Sequence, residues 1–267
     1  MLALRIVFAA TLISVSVPAT AQWLNYPTAG IPRTPDGKPN LSAPAPRTAD
    51  GKPDLSGLWR PAAILIGDIA TNLKPGSVPF QPWAEKLYTE RRANDSRDDP
   101  TAACIVGGVP RSDLVPYPFK VLHTPGMMAI LYEAVHSYRQ IFTDGRPLPV
   151  DPNPTWFGYS VGQWEGDTLV VRTSGFNDKG WLDNFGHPAT DALKVTERFR
   201  RKDFGHMDID ITIDDAKAYT KPWAVTLPLV LMPDTELLEY MCTENNKYFD
   251  IIPKSQSEGP STRGGSK

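Results

Sequence analysis

From Gly57 onward, apolar and polar residues alternate with a period of two rather than 3.6. Successive side chains of a β-strand point to opposite faces, so this alternation predicts strands that are buried on one face. The predicted strands are Met127–Glu133, Ser137–Thr143, Tyr159–Trp164, Thr168–Ser174, Ala192–Arg201, Met207–Ile213, Trp223–Met232 and Glu236–Met241. Turn residues separate them at short intervals, as is typical of an all-β barrel or sandwich.

The order of these strands favours an all-β fold, an antiparallel meander that closes into a lipocalin-like barrel. Successive hairpins need no helical crossover, and closing a meander of about eight strands removes its exposed edge. A two-sheet sandwich is the alternative. Helical spacing is confined to Pro82–Ala93, so we expect at most one or two short helices.

The two ends of the chain differ from the predicted barrel domain, residues 57–253. Residues 1–21 have the form of an export signal, with Arg5 followed by an apolar stretch and the small-x-small sequence Ala19–Ala21. An uncleaved anchor is the alternative. Cleavage leaves no other long apolar run, which predicts a periplasmic or secreted protein without a membrane span. Residues 254–267 are rich in serine and glycine, and we expect them to be disordered.

A proline-rich arm, residues 22–56, follows the signal and contains an internal repeat. Segment 32–42 returns fourteen residues later as segment 46–56, each with an Asp-Gly pair near prolines. Asp-Gly favours a turn and proline favours extended chain, so each copy predicts two extended legs joined by a turn. We interpret the arm as a tether or a strap over the domain.

Charge and cysteine content limit the partners and the compartment. With 28 Lys+Arg against 30 Asp+Glu, no basic surplus exists to neutralise phosphates, so no nucleic-acid partner is expected. Cys104 and Cys242 are the only cysteines. An oxidising compartment favours a disulfide between them, with two buried free thiols as the alternative.

Several stretches of the predicted barrel domain are distinctive in sequence. They are Arg139–Ile141, Asp144–Arg146, Trp164–Val171, Gly175–Asp178, Thr196–Arg198, Ile213–Asp215 and Tyr219–Trp223. Together they resemble a widespread family of exported bacterial β-rich proteins of uncharacterised function. The resemblance runs from about Gly30 to Asp250 and implies export and a single domain, but it brings no activity and no catalytic residue.

Glu197 is the first candidate for chemistry, because it interrupts an inward apolar row that includes Val195 and Phe199. Burying a carboxylate is costly unless it is paired or its pKa rises, and a raised pKa suits a general acid or base. The alternatives are a structural ion pair with Arg139 or Arg172, and a strand end that twists back to water.

Segment 175–191 is the second candidate, since it is long for a hairpin connection and mixes aromatic with polar residues. Long loops in compact β-domains are often lids or binding loops. Asp183 would orient His187 for proton transfer. Three other side chains of the segment are candidates for substrate contact: Asn177, Asp178 and Trp181. Alternatively, its aromatic residues only plug one end of the barrel.

The turn Glu133–His136 is the third candidate. If it lies at the barrel mouth, Glu133, His136 and Arg139 converge on the cavity of Glu197, where Arg139 and Tyr159 would hold developing oxygen charge. A solvated surface cluster is the alternative.

His206-Met207-Asp208 has half of a facial iron triad, but no histidine follows it, and we expect no metal and no cofactor.

These residues favour an exported small-molecule enzyme, a lyase, isomerase or dehydratase acting by acid–base chemistry on an apolar or aromatic substrate in the barrel cavity. Glu197 would be its base or acid, complemented by His187 or His136. The alternative is a non-catalytic binding protein for an apolar ligand or a sugar. A third hypothesis is an envelope protein whose arm docks onto a partner. An oligomer is compatible with all three.

Overall fold

The computed structural model describes residues 26–244. The predicted export signal and the predicted disordered tail lie outside these residues. Nine strands form one closed barrel and follow one another in chain order round it. They are β1 Gly57–Pro61, β2 Phe119–Thr124, β3 Met127–Tyr132, β4 Ser137–Phe142, β5 Tyr159–Glu165, β6 Thr168–Ser174, β7 Lys194–Arg201, β8 His206–Asp214 and β9 Trp223–Leu231. The predicted all-β barrel is confirmed.

One pair of neighbouring strands departs from the predicted antiparallel order. β4 and β5 are parallel, with Ile141 opposite Ser160, whereas every other neighbouring pair is antiparallel. An odd number of strands cannot alternate in direction all the way round a closed barrel, so one pair has to be parallel. Residues 143–158 therefore return the chain to the end of the barrel at which β4 began.

The prediction of a strand at Glu236–Met241 is wrong, because these residues form no hydrogen-bonded ladder with another strand. The backbone N–H groups of Leu238 and Tyr240 instead donate to the side chains of Glu133 and His136. The alternation pattern does not predict β1 and β2. β1 has five residues, and the outward Leu122 of β2 is 39% exposed, which obscures the alternation there.

Helices play a small part in the fold. α1 spans Pro82–Ala93, as its spacing predicts, and α2 is a single turn, Arg111–Leu114. Short 3₁₀ turns lie at Pro100–Ala103 and Ala134–His136. Within the described residues, no helix combines the length and the apolar character needed to cross a membrane.

The two ends of the barrel carry different structures. At one end, which we call the helix end, segment 175–193 leads into β7, and α1 follows a bridge between Phe80 and Tyr219. At the opposite end, which we call the arm end, the arm enters β1 and the β5–β6 and β7–β8 turns lie. Large side chains such as Trp59 and Phe199 fill the space between the two ends.

Both copies of the repeat have the predicted extended legs and turn. A bridge joins Arg33 to Pro39 in the first copy and Arg47 to Pro53 in the second. Arg33 then pairs with Asp234 after β9, and Arg47 pairs with Asp167 in the β5–β6 turn. The arm thus lies as a strap along the arm end.

Cys104 and Cys242 form the predicted disulfide, 138 residues apart.

Gly205 is the position where the arm lies closest to the barrel. Its N–H donates to the Leu41 carbonyl at 2.8 Å, and a Cβ at Gly205 would lie 2.4 Å from the Leu41 Cβ. Since overpacking costs about 1–3 kcal/mol, we expect Gly205→Ala to lower the free energy of unfolding by that amount and to speed proteolysis of the arm. Urea denaturation and limited trypsin digestion measure both effects. Gly67→Ala, with no atom within 4 Å of its Cβ, is the control, and equal behaviour of the two variants would contradict this contact.

Candidate functional site

Glu197 lies inside the barrel, as the alternation predicts, and its side chain is fully buried. Arg139 on β4 binds it with two parallel hydrogen bonds, one from Nη1 to Oε1 at 3.0 Å and one from Nη2 to Oε2. Arg172, the other predicted partner, is half exposed and lies 3.9 Å from Glu165. The structural ion pair considered above is therefore present, and its partner is Arg139.

Two hydroxyl groups accept two further N–H groups of this guanidinium. Arg139 Nε donates to Ser160 Oγ at 3.1 Å, and Nη2 donates to Thr173 Oγ1 at 2.9 Å. Ser160 and Thr173 face each other across β5 and β6 and are 2.9 Å apart. Burial by itself lowers the pKa of Arg139, but the Glu197 charge and hydrogen bonds outweigh it and raise the pKa. The guanidinium is thus charged, and four of its five N–H groups donate to these three residues.

Asp113 is a second buried acid beside this pair, and no sequence pattern singled it out. It lies on α2, accepts a hydrogen bond from Tyr132 at 2.7 Å and is 3.8 Å from Arg139. Within residues 26–244, its Oδ2 has no hydrogen-bond partner. One guanidinium cannot neutralise two carboxylates. Burial, together with the charge of Glu197, raises the pKa of Asp113 to about 7.

Asp183 and His187 form a second buried polar cluster, at the helix end. Asp183 Oδ2 lies 2.6 Å from His187 Nδ1, and both side chains are 1% exposed or less. The carboxylate also accepts the backbone N–H groups of Ile69 at 2.8 Å and Gly186 at 2.9 Å. An ionised carboxylate only accepts, and the tautomer that matches it has its hydrogen on Nδ1 and its lone pair on Nε2.

His187 also lines a cavity of about 440 Å³. Its imidazole ring lies 4.3 Å from the ring of Tyr88 and 5.4 Å from that of Phe80, centroid to centroid. Both rings line the same cavity. In the described part of the chain, His187 Nε2 has no hydrogen-bond partner. The arrangement is that of a histidine oriented by a carboxylate, with its basic nitrogen left for a ligand.

Asp68 brings a third potential metal ligand to this cluster. Ligand atoms of Asp68, Asp183 and His187 lie within 4.8 Å of one another. However, both Asp183 oxygens accept backbone N–H groups, and one of them faces Nδ1 directly. Asp183 and His187 Nδ1 are thus engaged with each other, an arrangement that suits proton transfer.

Of the three residues predicted to converge on Glu197 from the Glu133–His136 turn, only Arg139 reaches it. The turn lies at the helix end, but Glu133 accepts the N–H of Leu238 at 3.1 Å and His136 Nε2 accepts that of Tyr240 at 3.2 Å. Both side chains thus hold the segment after β9. Arg139 instead points into the barrel, since inward and outward positions alternate along β4.

The remaining predicted site residues are dispersed. The Tyr159 hydroxyl accepts a hydrogen bond from Arg146 at 3.1 Å rather than approaching Arg139. Trp181 is buried, with the Arg91 guanidinium 4.1 Å from its ring centroid. Asn177 accepts the N–H of Lys179 at 3.3 Å, and Asp178 is exposed. Their substrate contacts stay predictions.

Comparison with models of protein families, with curated proteins and with solved structures found no match to this chain. The resemblance to exported bacterial proteins therefore stays a prediction. Fold and site together define the class of the protein: a closed nine-stranded barrel with a carboxylate–histidine pair beside a cavity at one end.

Proposed function

We propose that the protein is an exported acid–base enzyme, a lyase, isomerase or dehydratase that acts on a small apolar or aromatic molecule in the cavity at the helix end. The observation that carries the proposal is the buried Asp183–His187 pair, whose Nε2 has no partner in the described residues and whose ring lines that cavity. The disulfide supports export, because such bonds persist in oxidising compartments.

His187 Nε2 would remove a proton from the bound molecule. Asp183 would stabilise the resulting imidazolium across the 2.6 Å contact. The imidazolium would then return the proton, either to another carbon of the substrate in an isomerisation or to a departing hydroxide in a dehydration. Burial raises the pKa of Tyr88, so its phenol stays protonated at neutral pH and can donate to a substrate oxygen.

Glu197 and Arg139 belong to the framework in this proposal rather than to the chemistry. They satisfy each other inside the barrel, and neither lines the cavity of His187. Phe80 and Tyr88 are the apolar and aromatic surfaces against which a substrate would pack. The non-catalytic carrier remains the competing function, because such surfaces would also hold a ligand that is not transformed.

His187→Gln is the variant that tests this function. A panel of small aromatic ketones, β-hydroxy ketones and β-hydroxy acids in D₂O, followed by ¹H NMR, reports deuterium exchange, isomerisation and loss of water. We expect turnover of at least one compound by the wild type, and a loss on the order of 100- to 10,000-fold in His187→Gln, the usual contribution of a general acid or base.

His206→Gln is the matched control, because His206 Nδ1 lies 2.7 Å from Asp203 in a half-buried pair at the other end of the barrel. This variant should keep wild-type rates. Equal turnover by His187→Gln would contradict the proposed role of the histidine. Saturable binding of panel compounds beside His187 without any turnover would favour the carrier.

A further inference from the structure

Arg201 ends β7 at the arm end of the barrel and is 6% exposed. Its guanidinium lies over the rings of Trp59 and Phe204, 4.9 and 5.2 Å from their centroids. Its hydrogen bonds go to backbone carbonyls: those of Asp54, Ser56, Asp203 and Phe204. Four of the five N–H groups of the guanidinium are used in this way. One N–H of Nη2 is left over.

No carboxylate of residues 26–244 lies within ion-pair distance of Arg201. Asp54 and Asp203 are the nearest acids, but Asp54 faces His123 at 3.7 Å and Asp203 faces His206 at 2.7 Å. Burial lowers the pKa of Arg201 to about 10, although these two charges act in the opposite direction. Buried charges in proteins are normally paired, so this cation lacks the partner that its burial calls for.

Arg201 also lines a cavity of about 280 Å³ between the arm and the barrel. The walls are largely apolar and include Leu58, Phe204, Leu231 and Met232 from the barrel and Ile31 from the arm. The cavity thus combines a buried cation with an apolar space, and the arm forms one wall of it.

Asp234 holds that part of the arm in place. Its carboxylate accepts the Thr28 N–H at 2.9 Å and pairs with Arg33. Residues 28–31 then form one wall of the cavity. Lys120 at the cavity wall is already paired with Glu236 at 3.0 Å, so of the two described cations that line the cavity Arg201 is the one without an acid partner.

We propose that this cavity binds a small monocarboxylate with an apolar chain or ring. The carboxylate accepts the free Nη2 hydrogen of Arg201 and supplies the missing negative charge. The apolar part packs against Leu58, Leu231 and Ile31. The site is independent of the proposed enzymatic function, because it lies at the opposite end of the barrel from His187. It also gives the arm a role, as one wall of the binding site.

Octanoate and octanol, titrated separately into the ¹⁵N-labelled protein, test this assignment. The amides of Gly30 and Gly57 are the reporters, as both residues line the cavity. We expect octanoate to shift both signals saturably and octanol to bind at least tenfold more weakly, since it has the same chain without the charge. Gly186, beside His187, should not move. Equal binding of the two probes, shifts confined to Gly186, or shifts that never saturate would each overturn the proposal.

Arg201→Gln provides the second arm of the test, with Arg200→Gln as its control. Arg200 is the exposed neighbour on β7 and pairs with Asp208 and Asp210. We expect Arg201→Gln to weaken octanoate binding at least tenfold and Arg200→Gln to leave it unchanged, whereas equal affinities in both variants would overturn the proposal. Because Arg201 also holds the carbonyls of Asp54 and Ser56, its variant could fail to fold. The wild-type comparison of octanoate with octanol then decides.

Discussion

Arg139→Met is expected to lower the free energy of unfolding by about 3–5 kcal/mol, the usual effect of removing one partner of a buried ion pair. The loss comes from Glu197, whose carboxylate would be left inside the barrel without a counter-ion. Ser160 and Thr173 would lose a donor as well, although they can still bond to each other at 2.9 Å. Urea denaturation at pH 7 measures the change.

The double variant Arg139→Met/Glu197→Leu should recover much of this loss, because it removes both charges and replaces them with apolar groups of similar size. Arg172→Met is the control. Arg172 is half exposed and lies 3.9 Å from Glu165, so its loss should cost at most about 1 kcal/mol. If Arg139→Met and Arg172→Met were equally stable, the pair inside the barrel would not have the energetic role that its burial implies.

Asp113→Asn is expected to remove a pH dependence that the wild type shows. The folded protein raises the pKa of Asp113 from 3.8 to about 7, so between these values the folded state binds the proton more tightly than the unfolded chain does. The stabilising effect is fully present below pH 4 and is lost as pH rises towards 7. At 1.36 kcal/mol per pKa unit, the loss is about 4 kcal/mol.

Urea denaturation at pH 4, 5.5, 7 and 8 checks this prediction. The amide introduced by Asp113→Asn carries no titrating proton, and it can replace the protonated carboxyl beside Tyr132, Arg139 and Glu197. The difference in stability between variant and wild type should therefore grow in favour of the variant from pH 4 to pH 7 and then stay constant. Asp178→Asn, at an exposed acid, should show no such trend. A difference that is independent of pH would contradict a proton on Asp113.

Much of the fold could be predicted because it follows from local alternation. Most strands from β3 to β9 have a buried inner face and a more exposed outer face and so show a period of two, as in the burial of every second residue of β8. β6 departs from it, because Leu169, Val170 and Val171 are all buried. The same reasoning placed Glu197 inside the barrel. The contact between Asp183 and His187 could be predicted because the two residues are four positions apart in one loop.

The remaining features depended on contacts between residues distant in sequence. Asp113 lies in a single helical turn without periodicity, and only the packing of α2 against the barrel brings it to Arg139. Residues 236–241 have the composition of a strand, but the closed barrel offers no free edge for them to pair with. Local propensity cannot indicate whether a partner strand is available.

By itself, the sequence determined that the chain forms strands, which face of most of them is buried, and that an acid interrupts one inward row. It also indicated a turn in each copy of the repeated arm. The tertiary structure alone decided which arginine pairs with Glu197, that β4 and β5 run parallel, and that Arg201 is buried beside the arm with no acid partner among residues 26–244. The physical reason is that alternation is a property of neighbouring residues, whereas pairing of charges and closure of a barrel depend on distances between segments far apart in the chain.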